Sequence, residues 1–200
     1  MLRVFLTVSV LFGHQIAAKD MEQEMIDLCT RVDCPEPEQL IQDKNYKEMQ
    51  YPAIQWIETK VDDMDLVHAM DTGLKILLNY SAFNNAEETI VPVTAPWGIS
   101  GHVVNGTISQ NYIVYLLLVP QVKSPPAPTD PTVKFGSVSD GWNFVRAIDR
   151  KLEEKQYEEH VLEFLKDLEE DNQPFEPGHF ALSFYRKWGL MEITFLKASK

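Results

Sequence analysis

Two stretches of the chain carry apolar residues every three or four positions, the spacing that places side chains on one face of an α-helix. The first stretch covers residues 64–79 and the second covers residues 150–170. The apolar positions are Val67, Met70, Leu74, Leu77 and Leu78 in the first stretch, and Tyr157, Val161, Phe164, Leu165 and Leu168 in the second. Both stretches therefore predict amphipathic helices with one face on a core.

Runs of β-branched and aromatic residues, bounded by proline and glycine, predict strands around both helices. These runs cover residues 51–59, 90–95, 112–119, 132–137, 142–148, 180–185 and 192–196. The run at 90–95 contains Pro92 and is followed by Pro96, so we expect an edge or bulged strand that ends there. Asn105-Gly106 predicts a tight turn, and the strongly apolar run at 112–119 predicts a central strand.

A proline-rich connector divides these elements into two similar halves. Residues 124–130 read Ser-Pro-Pro-Ala-Pro-Thr-Asp, and three prolines within four residues favour a rigid, extended segment. Each half has the order strand, helix, strand, strand, with few parallel crossovers. The sequence therefore predicts an α+β fold: a distorted, mostly antiparallel, barrel-like sheet of two pseudo-repeated halves, flanked by two helices.

The charge of the chain bears on its partners. The 200 residues include 18 Lys and Arg against 30 Asp and Glu, which gives a formal net charge of −12. An acidic protein repels phosphate backbones and anionic lipids, so the composition argues against nucleic acid and membrane surfaces as partners.

The N-terminus has the order of a secretory signal peptide. Arg3 precedes an apolar run at residues 4–12, and the small residues Ala17 and Ala18 follow. The run is too short to span a bilayer. We therefore expect residues 1–18 to be a signal peptide, residues 19–44 an N-terminal arm and residues 45–200 the globular domain of a secreted, extracellular protein.

The cysteines and two sequons agree with export. Cys29 and Cys34 are the only cysteines, and an oxidising compartment favours a disulfide between them over a zinc site. Asn79 and Asn105 begin Asn-X-Ser/Thr sequons, so both are candidate glycosylation sites. Asn79 falls on the polar face of the first predicted helix.

Motifs of common enzyme classes are missing from the sequence. It has no phosphate-binding glycine loop, no dinucleotide-binding fingerprint and no zinc-protease motif. His68, His102, His160 and His179 each stand in a polar helix face, an acidic helix or a turn, so solvated histidines are expected there rather than ligands. The sequence identifies no catalytic residues.

Several motifs in the same order resemble the SOUL/heme-binding protein family. Residues 124–130 followed by Val133 are similar to its loop-and-strand signature, and Val93-Thr94-Ala95-Pro96 is similar to its motif after the first helix. Further matches lie at 45–56, 63–65 and 144–146, so the resemblance covers about residues 45–197. It implies a distorted antiparallel barrel flanked by two helices, and binding of heme or a related tetrapyrrole in an apolar groove beside the first helix.

The resemblance also implies site residues. Met70, Leu74 and Leu77 are expected to form the floor of the groove, and Arg186 and Lys187 to pair with heme propionates. Core packing is the alternative for the three helix residues, and solvation at a hairpin tip is the alternative for the two cations. His68, Met70 and Tyr51 are weak candidates for an iron ligand. Gln50 stands where some relatives carry a histidine ligand.

We therefore expect a secreted protein that binds heme, or another tetrapyrrole, reversibly and without catalysis. One alternative is a domain of the same fold that has lost heme and binds another amphipathic molecule or a protein partner. Another is an enzyme that acts on tetrapyrroles, for which the sequence offers no acid–base pair.

Overall fold

The structure is a computed structural model, and it describes residues 34–36, 38–42, 45–62, 65–138, 140–149, 154–185 and 190–198. Both predicted helices form: α1 spans Leu66–Ala82 and α2 spans Glu154–Glu170. Asp65 caps α1, because its Oδ1 accepts a hydrogen bond of 2.7 Å from the backbone N–H of His68. Neither helix is long and apolar enough to cross a lipid bilayer, as far as the described residues go.

The strands of the described residues form one large antiparallel sheet. They are β1 (Gln39–Gln42), β2 (Lys47–Tyr51), β3 (Ile54–Asp62), β4 (Val93–Val104), β5 (Thr107–Ile108), β6 (Asn111–Leu118), β7 (Val133–Val138), β8 (Gly141–Asp149), β9 (Phe175–Phe184) and β10 (Leu190–Lys197). Their spatial order is β1-β2-β8-β10-β9-β4-β6-β3-β7, and β5 forms a short hairpin with β4. The predicted α+β fold is confirmed. The described strands leave the sheet open, with β1 and β7 as its edges, instead of closing it into a barrel.

The sheet contains the two predicted halves. In the first half, β3, α1, β4 and β6 follow one another, and in the second half β8, α2, β9 and β10 do the same. The halves meet where β4 pairs with β9. Each half also receives a strand from the other: β2, just before β3, pairs with β8, and β7, just before β8, pairs with β3. The halves are therefore interlocked by an exchange of strands.

Alternation along the strands gives the sheet two different faces. One face packs against the helices and contains the core, with side chains such as Ile57, Val114, Ile99, Leu182, Phe144, Ile193 and Phe195. The other we call the helix-free face. In one register row it carries Glu58, Tyr115, Gly98, Ser183 and Glu192, on five neighbouring strands.

The strand around Pro96 differs from its prediction. β4 continues through Pro96 to Val104 and lies in the middle of the sheet, between β6 and β9. The pairing of β4 with β6 shifts register between Thr94 and Trp97, and the Ala95–Pro96 peptide is cis. Because Pro96 lies at this bulge, its missing N–H removes no regular ladder bond. Of the two predicted alternatives, the bulged strand is the one present, whereas the predicted end at Pro96 is wrong.

The proline-rich connector packs on the C-terminal end of α1. The Tyr80 hydroxyl donates a 2.8 Å hydrogen bond to the Pro126 carbonyl, and Thr129 Oγ1 donates one of 2.8 Å to the Asn84 carbonyl. Asn85 and Pro128 form an isolated β-bridge. The predicted turn at Asn105-Gly106 is also present, with the positive φ of 52° and 76° that a type I′ turn requires.

Gly73 sets how closely α1 approaches the sheet. A Cβ atom built on Gly73 would overlap the side chain of Val114 on β6. In an open helix interior, alanine is favoured over glycine by about 1 kcal/mol. We expect Gly73→Ala to lower the free energy of unfolding instead, by about 1 kcal/mol or more, because overpacking outweighs helix propensity. Urea denaturation measures this change.

The control is a double-mutant cycle with Val114→Ala. Removing the opposing methyl groups should cancel part of the cost of Gly73→Ala, so the two changes should be non-additive. A neutral or stabilising Gly73→Ala would contradict the close contact.

Candidate functional site

The first helix presents its predicted groove residues in different environments. Met70 and Leu77 are 1% and 0% exposed and belong to the core. For these two residues, the structure corresponds to the core-packing alternative. Leu74 is half-buried and Leu78 is 47% exposed. The part of α1 available to a ligand is therefore the flank that carries Leu74 and Leu78.

The direction of this flank follows from Tyr80. The Tyr80 ring contacts Phe135 on the edge strand β7, with ring centroids 6.2 Å apart. At 3.6 residues per turn, Leu74 and Leu78 lie about 120° and 160° around the helix axis from Tyr80. Their flank therefore lies on the side of α1 away from Tyr80 and from its contact with β7.

An aromatic pair lies on the helix-bearing face of these middle strands. Trp97 on β4 stacks on Phe184 on β9, with ring centroids 4.8 Å apart and planes inclined by 22°. Tyr157 on α2 contacts Phe184 edge-on at 6.0 Å. Trp97 is only partly buried. We use the name interhelical groove for the region between α1 and α2 above Trp97, and its candidate apolar residues are the incompletely buried Leu74, Leu78 and Trp97.

The predicted cations lie outside the described residues. β9 ends at Phe184, and Arg186 and Lys187 follow two and three positions later in the sequence. Their pairing with propionates stays a prediction.

The three iron-ligand candidates do not come together. His68 is exposed on α1 and Met70 is buried beneath the same helix, whereas Tyr51 lies on the helix-free face of the sheet. Within the described part of the chain, no group of three or more His, Cys, Asp or Glu side chains could hold a metal ion.

A buried carboxyl group lies at the centre of the helix-free face. Glu192 on β10 is 4% exposed, and its Oε2 accepts hydrogen bonds from the Tyr185 hydroxyl at 2.8 Å and the Tyr51 hydroxyl at 3.5 Å. Beside this cluster, the Tyr115 hydroxyl and Ser183 Oγ share a hydrogen bond of 2.7 Å. Tyr115 reaches Ser183 across Gly98, where a Cβ atom would overlap its hydroxyl.

Burial governs the protonation of this cluster. It raises the pKa of Glu192, while hydrogen bonds from the tyrosines and the charge of Lys47 act in the opposite direction. Burial, followed by the Glu192 charge, holds the pKa values of Tyr51 and Tyr185 well above their usual range. Burial raises the pKa of Tyr115 to about 12. The tyrosines are therefore neutral hydrogen-bond donors around one acid.

Sequence reasoning missed Glu192 because its sequence context, Met-Glu-Ile-Thr, is that of an ordinary strand with alternating polarity. The burial of Glu192 depends on tyrosines from β2 and from the end of β9, which only the strand order brings together.

The remaining predicted sites have the following positions. Cys34 is buried, and Cys29 lies outside the described residues, so their disulfide stays a prediction. Asn79 is exposed on α1, and Asn105 is exposed in its turn. Both positions are open to solvent, as a glycan acceptor requires, and glycosylation of either asparagine also stays a prediction.

Comparison with known families supports the resemblance noted in the sequence. The model of the SOUL heme-binding protein family matches residues 32–191, which is most of the chain.

The chain belongs to the SOUL heme-binding protein family.

Two curated relatives carry the name heme-binding protein 2. The human protein is 28% identical over 134 residues, which cover 66% of this chain and 65% of the human protein. The mouse protein is 26% identical over 145 residues, or 70% of each chain. This SOUL chain therefore spans about two thirds of the length of its curated relatives.

Solved structures with low identity share the fold of this SOUL domain. The EcmrR C-terminal domain superposes with a TM-score of 0.56 at 10% identity, over 78% of this chain and 100% of that domain. A hydrolase from Listeria innocua superposes with a TM-score of 0.52 at 9% identity, over 78% of this chain and 94% of that one. At such identities the likeness concerns the fold alone.

The raised pKa of Glu192 predicts how stability depends on pH. The folded SOUL domain favours the protonated acid. The stability that Glu192 contributes through its protonated form is complete below the pKa of the unfolded chain, about 4.3. This stability is lost as pH rises through the higher pKa of Glu192 in the folded domain. Glutamine cannot ionise. We therefore expect the free energy of unfolding of Glu192→Gln, relative to wild type, to increase as pH rises from about 4 to 8.

Urea denaturation of both proteins across this pH range measures the difference. All other titrating groups are shared, so their contributions cancel in the comparison. A difference between the two proteins that does not change with pH would contradict a raised pKa at Glu192.

Proposed function

We propose that this protein is a secreted carrier that binds heme, or a related tetrapyrrole, reversibly in the interhelical groove. Membership of the SOUL heme-binding protein family supports the ligand class. The names of the human and mouse relatives agree with it. The groove itself is supported by the environment of three side chains.

The exposed flank of α1 is the observation that carries this proposal. Leu78 is a large apolar side chain that is 47% exposed, and Leu74, four positions earlier, is only half-buried. We assign the partly buried Trp97, whose ring stacks on Phe184, to the opposite border of this groove. A planar apolar ring placed there would cover surface that water now contacts, which is the usual driving force for binding in such a groove.

The residues of the groove suit a tetrapyrrole. Leu74 and Leu78 would contact one part of the macrocycle, and the Trp97 indole offers a flat aromatic surface. Arg186 and Lys187 follow closely after Phe184 in the sequence and would pair with the carboxylates of the ligand. Iron coordination by His68, Met70 or Tyr51 has no support from their positions, so we propose binding through apolar burial and charge pairing.

Binding without catalysis is part of the proposal. The sequence lacks common catalytic motifs, and the family is named for binding. The net charge of −12 supports a carrier with no nucleic acid or membrane partner.

A hemin titration of the protein tests the groove. Leu78→Asp places a charge on the exposed flank and should weaken hemin binding by about tenfold or more, because a buried charge opposes apolar burial. The change in the Soret band and the quenching of tryptophan fluorescence measure the binding. Leu78 is already half-exposed, so the variant should fold.

Val104→Asp is the matched control. Val104 is 54% exposed and lies at the far end of β4, beside the Asn105-Gly106 turn. This variant has the same change of charge at a similar exposure and should keep wild-type affinity. Equal hemin affinity in both variants would reject the interhelical groove as the binding site. The absence of a saturable Soret change in the wild type would reject heme as the ligand and favour another amphipathic ligand or a protein partner.

Export can be tested separately. A cell line with a secretory pathway should release a protein that begins at Lys19, with glycans that are reduced in Asn79→Gln. Mass spectrometry of the secreted protein measures both. A product that stays inside the cell and retains Met1 or Leu2 at its N-terminus would contradict secretion.

A further inference from the structure

Two histidines lie side by side at the end of the central strand pair. His102 on β4 is the register partner of His179 on β9, and their ring centroids are 5.2 Å apart with planes inclined by 63°. Both side chains lie on the helix-free face, in line with Gly98 and Ser183. From the sequence, in which they stand 77 positions apart, two separate solvated histidines are expected.

The spacing of the rings matches a chelate. Zinc binds an imidazole nitrogen at about 2.1 Å, which places the ring centroid about 3.2 Å from the ion. Two such ligands at a tetrahedral angle of about 109° have centroids about 5.2 Å apart. The observed separation of 5.2 Å therefore leaves room for one ion between the two rings. Rotation about χ2, a soft torsion in histidine, turns one nitrogen of each ring toward the ion.

The backbone holds the two positions in place. Both residues lie within paired strands, and the His102 carbonyl accepts a 2.7 Å hydrogen bond from the Ser109 amide. Gly178, which precedes His179, has a φ of 85°, and a Cβ there would lie 3.0 Å from the Val103 carbonyl oxygen. Strand pairing and this close approach therefore fix the main chain around both histidines.

The two side chains are also accessible. His102 is exposed and His179 is half-buried, so an ion can enter from solvent. The pair cannot provide both axial ligands of one heme, because axial ligands approach the iron from opposite sides of the macrocycle.

We infer that His102 and His179 form a surface site for a divalent transition metal ion, with both imidazoles as neighbouring ligands. Among the described residues no third His, Cys, Asp or Glu joins them, so water fills the other coordination positions. Imidazole ligands select Cu²⁺, Ni²⁺ and Zn²⁺ over Mg²⁺ and Ca²⁺, and Cu²⁺ should bind most tightly. This site is independent of the interhelical groove, which lies on the other face of the sheet.

Calorimetric titration of the heme-free protein with ZnCl₂ tests the inference. One ion should bind per chain, and MgCl₂ should give no binding heat. His102→Ala and His179→Ala should each weaken Zn²⁺ binding by about tenfold or more, because each leaves a single imidazole in place of a chelate. Circular dichroism verifies that the variants fold.

His160→Ala is the matched control. His160 lies on α2, with Nδ1 3.3 Å from Glu163 Oε2, so this change removes an imidazole that also has a neighbouring potential ligand. Affinity for Zn²⁺ should not change. With Cu²⁺, electron paramagnetic resonance should show coupling to two imidazole nitrogens in the wild type and to one in either site variant.

Three results would overturn the site. They are the absence of saturable Zn²⁺ binding, wild-type affinity in both His102→Ala and His179→Ala, and an equal loss of affinity in His160→Ala. A Cu²⁺ spectrum with one imidazole nitrogen in the wild type would also reject chelation, even if the ion binds.

Discussion

The pairing of β4 with β9 is the contact on which the rest of the structure depends. It joins the two halves at the middle of the sheet, and six consecutive residue pairs hold its register, from Trp97 with Phe184 to His102 with His179. Because side chains alternate along a strand, this one register decides what meets on each face. It stacks Trp97 on Phe184 beneath the helices, and on the opposite face it aligns Gly98 with Ser183 and His102 with His179. If β9 shifted by one residue against β4, every side chain of β9 would move to the opposite face of the sheet, and the contacts on both faces would be lost together.

The same register explains why the helix-free face can contain a buried acid. Gly98 has no side chain, so Tyr115 crosses above β4 to reach Ser183. On the other side of Ser183, the Glu192 carboxylate accepts hydrogen bonds from the hydroxyls of Tyr185 and Tyr51. Carboxyl burial is unfavourable without hydrogen-bond donors, and here two phenols provide them, one on β2 and one directly after β9. The polar cluster is thus a product of strand order and of one glycine.

Local patterns predicted most elements of the fold but missed β1, and they missed β2 before residue 51. The three- and four-residue spacing predicted both helices, Asn105-Gly106 predicted its turn, and the order of elements predicted an α+β fold in two halves. The path of β4 could not be predicted, because Pro96 ends a strand by local rules, whereas pairing with both neighbours carries β4 onward to Val104.

The candidate site was predicted only in part. Helical periodicity groups Met70, Leu74, Leu77 and Leu78 on one side, but the position of α1 above β6 buries Met70 and Leu77 and leaves Leu78 exposed.

The exchange of β2 and β7 between the halves has a consequence for the origin of the chain. Each half lacks a strand that only the other half supplies, and from β2 to β7 corresponding strands of the two halves stand at equal distances on either side of the β4–β9 pair. That is the arrangement of a symmetric homodimer in which each subunit swaps its first strand with its neighbour. Fusion of two such subunits end to end, through the proline-rich connector, reproduces the present topology without rearranging any strand. After such a fusion the sequences of the two copies are free to diverge.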